Sequence, residues 1–389
     1  MSRSAVILGL GLANPPGSIE QTAAVARART LLWSERAAAR VEVRGAGVHE
    51  NGKPRENGTG RALEALYRRS RVRRRASVLL SPMEEWSAFY APPTSEEDRG
   101  PTTSARMRMF EERAGAVARM AAERALADAK CEAGSITHLV TVSCTGLAAP
   151  GVDAELIRSL GMSPRVERTN VGFMGCHGAI NGMRVASAFA RADASARVLV
   201  AAVELCSLHY HYGPDPEQAV ANAIFADGAA SAVVAGDEVA QWRSGEVADG
   251  VRLARFGSVL LPESADAMSW RIGNHGFEMR LSARVPELIR KHLRGWLGEW
   301  LGSAGVRLED VRGWVVHPGG PRILDTVAEA LSLDAGALAD SSAVLGECGN
   351  MSSPTVMFIM ERLRRAGTPR PWVVLGFGPG LVAEAALVV

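Results

Sequence analysis

Nearly continuous apolar runs recur along this chain, each followed by a turn of glycine or polar residues. His138 to Val142, Ala196 to Val203 and Ala229 to Val234 are three of them, and Ala5 to Leu10 is a fourth. A strand with apolar side chains at successive positions must be covered on both faces. Helical patterns lie between these runs. Arg106 to Lys130 carries Ala and Met on one side and charge on the other. Ala179 to Arg191 places Ile180, Met183, Val185, Ala186 and Phe189 at helical spacing. The pattern predicts an α/β protein with mostly parallel, covered sheets. Ile19 to Ala39 reads as helical and Ala46 to Gly60 as a surface loop. Gly9 to Gly17 lacks the third glycine of a nucleotide loop and is blocked by Pro15-Pro16, so a tight surface turn is expected there.

The order of elements recurs in the second half. The strand Gly313 to Val316 ends at His317-Pro318-Gly319-Gly320, just as His138 to Val142 ends near Thr145-Gly146. Asn350 to Pro354 opens the helix Thr355 to Arg365, echoing the way Gly175-Cys176 opens its own helix. Two similar halves are expected, residues 1–240 and 241–389.

The chain has 389 residues, 47% of them hydrophobic and 22% charged, with a formal net charge of +2. That balance makes no general case for nucleic acid or for a membrane surface, and no apolar stretch is long enough to span a bilayer. The basic run Arg68 to Arg75 reads as a local feature. Five cysteines at scattered spacing form no disulfide framework, which favours reduced thiols and a cytoplasmic protein.

In α/β proteins ligands gather where strands end. Cys176 lies between close glycines at the start of an apolar helix, where backbone N–H groups and the helix dipole favour a thiolate. His317 ends the strand Trp314-Val315-Val316, and Asn350 sits in a turn ahead of Ser352 and Ser353, two good helix-capping residues. A thiol, a cationic or donating imidazole and a neutral amide are the equipment for acyl capture and for stabilising an enolate. Cys206, His209 and His211 suggest no metal site: in an extended segment the two histidines share a face that Cys206 does not, and there is no second ligand cluster. His177 neighbours the nucleophile but points elsewhere on the helix.

These residues carry a resemblance over nearly the whole length. The chain resembles the type III polyketide synthases, the chalcone synthase-like branch of the thiolase fold. The similarity rests on Gly175-Cys176, on Asn222 to Ala230, on Val316 to Pro321, on Gly349-Asn350-Met351-Ser352-Ser353 and on Gly376-Phe377-Gly378-Pro379-Gly380. The resemblance implies an αβαβα layered sandwich of duplicated halves and a homodimer. It implies an acyl-CoA starter and malonyl-CoA extenders as substrates, with no cofactor. By motif, Cys176 is the acyl-holding nucleophile, and His317 with Asn350 binds the malonyl thioester and steadies its enolate. Phe225 and Phe277 match the aromatic gatekeepers. Cys144, Cys206, His209 and Ala149 stand where plant members have other cavity residues, which points to a starter other than coumaroyl, such as a fatty acyl chain. Ser352 belongs to the substrate cavity. Gly319 and Gly320 are expected beside the pantetheine arm and Arg69 beside a CoA phosphate. Two alternatives share the reactive residues: a β-ketoacyl synthase performing one condensation on a carrier protein, and a non-catalytic thiolase-fold subunit.

Overall fold

Among the described residues nine strands form one mixed sheet, most of it buried on both faces. The computed structural model describes residues 5–32, 58–80, 85–213, 215–236, 239 and 250–389. The strands are β1 (Ala5–Ala13), β2 (Ser18–Glu20), β3 (Arg74–Ala76), β4 (His138–Ser143), β5 (Glu167–Gly172), β6 (Arg197–Leu205) and β7 (Asp227–Gly236). They continue with β8 (Val251–Leu260), β9 (Met268–Gly273), β10 (Gly276–Leu281), β11 (Gly313–Val316), β12 (Trp372–Gly378) and β13 (Val382–Val388). The helices are α1 (Gln21–Thr30), α2 (Gly58–Arg69), α3 (Glu85–Phe89), α4 (Thr103–Asp128), α5 (Val152–Leu160) and α6 (Gly178–Ala192). After them come α7 (Pro216–Ile224), α8 (Val285–Gly302), α9 (Pro321–Leu331), α10 (Ala339–Cys348) and α11 (Thr355–Arg365).

The sheet order is β11-β12-β13-β8-β1-β7-β6-β4-β5. In the first half β4 pairs parallel with β6, β6 antiparallel with β7, and β7 antiparallel with β1. In the second half β11, β12, β13 and β8 repeat these neighbours and directions. The halves meet where β1 pairs with β8. The expected junction between residues 240 and 241 lies outside the described residues.

Three apolar clusters show the layering. On β6, Leu199, Ala201 and Val203 pack with α4, while Val198, Val200 and Ala202 face α6. On β12, Val373, Leu375 and Phe377 pack with α8 and α9, while Trp372 and Val374 face the middle. Helix α6 touches strands of the first half and also β13, and α11 touches β11 and β12 and also β7 and β1. The order is therefore helix, sheet, paired buried helices, sheet, helices. This is the five-layered α/β sandwich of the thiolase fold.

Several expectations are corrected. The sheet is mixed rather than mostly parallel, because the last strand of each half returns beside its predecessor. Only Pro379, Gly380 and Leu381 separate β12 from β13, a link too short for a parallel crossover. Ile19 lies in β2 and the helix begins at Gln21; residues 33–39 lie outside the described residues. Of the loop expected from Ala46 to Gly60, residues 46–57 lie outside them, and 58–60 begin α2. The glycine-rich start is no surface turn up to Ala13, since Gly9 and Gly11 are inside β1. A Cβ on Gly11 would meet the backbone of Ala121 and Ala125 in α4, and one on Gly9 would meet Ala125 and Ala129. Small residues on both elements bring helix and strand backbones together. Gly11→Val should lower stability by about 2 kcal/mol or more through overpacking. Thermal unfolding of the variant checks this: an unchanged midpoint would show that α4 can shift to make room.

Candidate active site

The C-terminal ends of β4, β6 and β12 line one cavity with the turn that carries Cys176. This turn, Gly175–His177, precedes α6 directly. Phe173 and Gly175 both have positive φ, 59° and 70°. Gly175 is needed there, because a Cβ would press on the Pro379 ring. The turn thus sits against the end of β12, where Gly376 and Gly378 leave room for the His177 ring.

The sulfur of Cys176 faces Asn350 and Ser352, whose hydrogen bonds favour the thiolate. Burial outweighs them and pushes the thiol up to about 11, with the Glu204 carboxylate adding to the rise. That shift favours the protonated thiol, whereas the helix-start argument favoured a thiolate. A 3-10 turn ahead of the helix and the surrounding apolar protein offer less than the dipole argument assumed.

Asn350 is held by its backbone. Its N–H donates to Ile224 O at 2.8 Å, and its carbonyl accepts from Ala226 N at 2.9 Å. Its Oδ1 accepts from Ser352 N at 2.8 Å, which leaves Nδ2 as the donor toward Cys176. His317 follows β11 directly and is 1% exposed. Its backbone N–H bonds Leu375 O on β12 at 2.8 Å. Neither ring nitrogen has a partner. Burial, with a smaller repulsion from His177, pushes its pKa down to about 3, so the ring is neutral rather than cationic. A neutral imidazole still donates from one nitrogen. His177 bonds Asn181 Oδ1 through Nδ1 at 2.7 Å.

Glu204, which the sequence reading passed over, is the acidic group of the site. It is fully buried near the end of β6. Its Oε2 accepts from Cys144 N at 2.9 Å, Thr145 Oγ1 at 2.7 Å and Ser143 Oγ at 3.2 Å; its Oε1 accepts from Ser353 Oγ at 2.6 Å. Burial raises its pKa, and those hydrogen bonds oppose the rise. The signal was present: an acidic residue closing an apolar strand, at the strand-end position that His317 occupies on β11. The serines expected to cap α11 instead serve this site, with Ser352 Oγ lying 3.2 Å from Cys144 Sγ. Ser352 takes φ 55°, a strained value for a serine.

Two adjoining chambers open from these residues. The catalytic one encloses about 380 Å³, and Cys144, Cys176, Cys206, Phe225 and Ser352 line it together with Trp270 and Met279. The second encloses about 640 Å³ including its mouth, and shares Cys206, Phe225, Trp270 and Met279 with the first. Burial pushes the Cys144 and Cys206 thiols well up.

Some expected site residues fall elsewhere. Phe277 lines the second chamber only, stacked on His209 with ring centroids 4.2 Å apart. Met279, two positions along β10, takes the wall near Cys176, as strand periodicity allows. Trp270, also unforeseen, donates from Nε1 to Cys144 O at 2.7 Å. Residues Cys206–His209 form a 3-10 turn, not an extended segment. His209 accepts from Phe277 N at Nδ1 and donates from Nε2 to Thr145 O at 2.6 Å, which leaves no free ligand atom. Ala149 lines a separate open groove beside Phe110 and Asn170, because the chain turns outward after Thr145. Arg69 is exposed. Open space surrounds Gly320, so no neighbour within the protein requires a glycine there. Within the basic run, Arg71 pairs with Asp325 on α9, Arg73 with Glu347, and Arg75 turns inward to Asn222 O and Phe225 O.

Known proteins share this architecture. The family of chalcone and stilbene synthases matches in two parts, its N-terminal domain over residues 55–238 and its C-terminal domain over 253–389. An "alpha-pyrone synthesis polyketide synthase-like" protein, Pks18 of Mycobacterium tuberculosis, is 30% identical over 328 residues, covering 83% of this chain and 80% of that protein. A 1,3,6,8-tetrahydroxynaphthalene synthase of Streptomyces peucetius is 35% identical over 275 residues, covering 70% of this chain and 72% of that one. The crystal structure of PKS-I from the brown alga Ectocarpus siliculosus superposes with a TM-score of 0.83 at 29% identity, covering 100% of this chain and 98% of the other. A thiol, imidazole and amide at the strand ends of a duplicated α/β sandwich, matched by family over both halves, make this chain a member of the chalcone and stilbene synthase family: a type III polyketide synthase, and thus an acyltransferase.

Proposed function

We propose that the enzyme loads an acyl group from an acyl-CoA starter onto Cys176 and extends it repeatedly with malonyl-CoA. The observation that carries this reading is the His317 ring, whose nitrogens have no partner among the described residues, together with the Asn350 side-chain donor that reaches the Cys176 sulfur. In loading, the Cys176 Sγ–C bond forms, the C–S bond to CoA breaks, and the thiol proton leaves with CoA. Malonyl-CoA then loses its carboxylate as CO2, and the electron pair left behind becomes an enolate. The two neutral donors stabilise the enolate oxygen without bringing a charge of their own. The enolate carbon attacks the carbonyl of the Cys176 thioester, the C–S bond breaks, and the sulfur leaves as a thiolate that takes a proton from solvent; the lengthened acyl-CoA then reloads onto Cys176 for the next round. Apolar side chains around the chamber disfavour the carboxylate and so favour its loss. The reaction needs no cofactor.

The starter is proposed to be a linear fatty acyl chain, because the second chamber continues the first along apolar walls. The relatives are named for a pyrone, a naphthalene and a dihydroxyphenylacetyl product, so membership alone leaves the starter open. The grown chain closes to a pyrone, a resorcinol or a related ring. Arg69, Gly319 and Gly320 are assigned to the CoA arm: Arg71–Asp325 ties the basic loop to the helix that follows the two glycines. The working form is proposed to be a cytoplasmic homodimer built on the face near Ala149 and the exposed Leu147. Among the described residues no helix is long and apolar enough to cross a membrane.

Cys176→Ala should cut polyketide formation by roughly a thousandfold or more while malonyl-CoA decarboxylation persists. Asn350→Ala and His317→Ala should each slow decarboxylation by roughly a hundredfold. Carbon dioxide release and product analysis with a panel of acyl-CoAs separate these outcomes, and full activity in any variant removes that residue from the mechanism. The pH profile follows from the raised thiol. Thiolate increases about tenfold per pH unit below a pKa near 11, so the rate of Cys176 acylation should climb from pH 7 to pH 9. Intact-protein mass spectrometry of the acyl adduct reads this, and a flat profile would mean that substrate binding already ionises the thiol. Light scattering should give twice the 41.3 kDa chain mass; a monomer would refute the dimer.

A further inference from the structure

The second chamber is apolar except at specific points, and most of its polar groups are already satisfied. Arg75 donates to Asn222 O at 2.5 Å and to Phe225 O at 3.0 Å. The Ser207 hydroxyl donates to Asp227 at 2.7 Å. His209 uses both ring nitrogens, and the Asn222 side chain is bonded to the backbone of His211 in both directions. Among the described residues two buried atoms on the wall have no partner: Arg27 Nη1 and Gln218 Oε1. Gln218 is otherwise anchored, its Nε2 donating to Met279 O at 2.7 Å. Neither residue lines the catalytic chamber; both belong to the part of the second chamber that the two do not share. An unpaired buried guanidinium nitrogen costs more than its hydrogen bond would return, so a group that accepts from it is expected in the working complex.

On the reading that Cys176 holds the starter, we propose that the second chamber receives the far end of a linear acyl chain bearing an oxygen function, a hydroxyl or a carboxylate, that accepts from Arg27 Nη1. Trp270, fixed by its bond to Cys144 O, stands on the wall common to both chambers and steers the chain past Cys206 and Phe225. A plain alkyl chain would fill the same space and leave the guanidinium unmatched. Gln218 Oε1 suits a hydroxyl or a protonated carboxyl, which donates as well as accepts.

The test compares decanoyl-CoA with its ω-hydroxy and ω-carboxy derivatives, each with malonyl-CoA, in the wild type, Arg27→Leu and Arg27→Lys. In the wild type at least one oxygenated starter should exceed decanoyl-CoA in kcat/KM by roughly tenfold or more. Arg27→Leu should erase that preference with decanoyl-CoA turnover unchanged, and Arg27→Lys should restore part of it. The derivative preferred tells a hydroxyl from a carboxylate. An active wild type that uses decanoyl-CoA as well as or better than both derivatives overturns this inference and leaves the synthase reading intact. So does an Arg27→Leu variant that slows all three alike, since Arg27 would then be structural. Failure to condense malonyl-CoA with any starter overturns both.

Discussion

One buried carboxylate ties the catalytic loops of the two halves together. Glu204 ends a strand of the first half, accepts from the loop after β4, and reaches Ser353 just ahead of α11 in the second half. A carboxylate without such partners could not stay charged in that place. With four donors around it, it holds Thr145, Cys144 and Ser353 at fixed separations, and so fixes the wall against which Cys176 works. Its negative field also helps keep the thiol protonated at rest. The group that organises the site therefore also restrains the Cys176 thiol, the proposed nucleophile.

The remaining electrostatics are consistent with this restraint. His317 and His209 are both held near pKa 3 by burial, and Cys144, Cys176 and Cys206 are all raised. A resting site with no formal positive charge among these groups presents donors rather than ions. Neutral donors stabilise a developing enolate oxygen without paying to desolvate a cation beforehand.

Much of the fold was legible because strands covered on both faces leave unbroken apolar runs, and such runs appear in both halves. Strand direction was less legible: apolar runs look alike in parallel and antiparallel pairs, and only the three-residue link after Gly378 distinguishes them. The reactive residues were legible because each ends an element with an unusual neighbour, a glycine or a proline. Glu204 was overlooked since its role depends on donors 59 or more positions away. The walls were hardest to read. Phe277 and Met279 share one face of β10, and which of them fronts the thiol is set by how the hairpin leans on His209. Trp270 and Arg27 carry no local motif, and their position on the chamber walls arises from tertiary packing alone.

The bridge between Phe225 and Asn350 has a consequence for how this cavity can evolve. The two backbones are hydrogen-bonded neighbours, with Ala226 N on Asn350 O and Asn350 N on Ile224 O. Phe225, which lines both chambers, and the Asn350 amide proposed to steady the enolate thus ride on a common rail. Backing the main chain away to admit a bulkier guest would pull the amide off target. New guests must be accommodated by exchanging side chains while the rail stays still, which is how a chamber can be remodelled without disturbing the chemistry beside it.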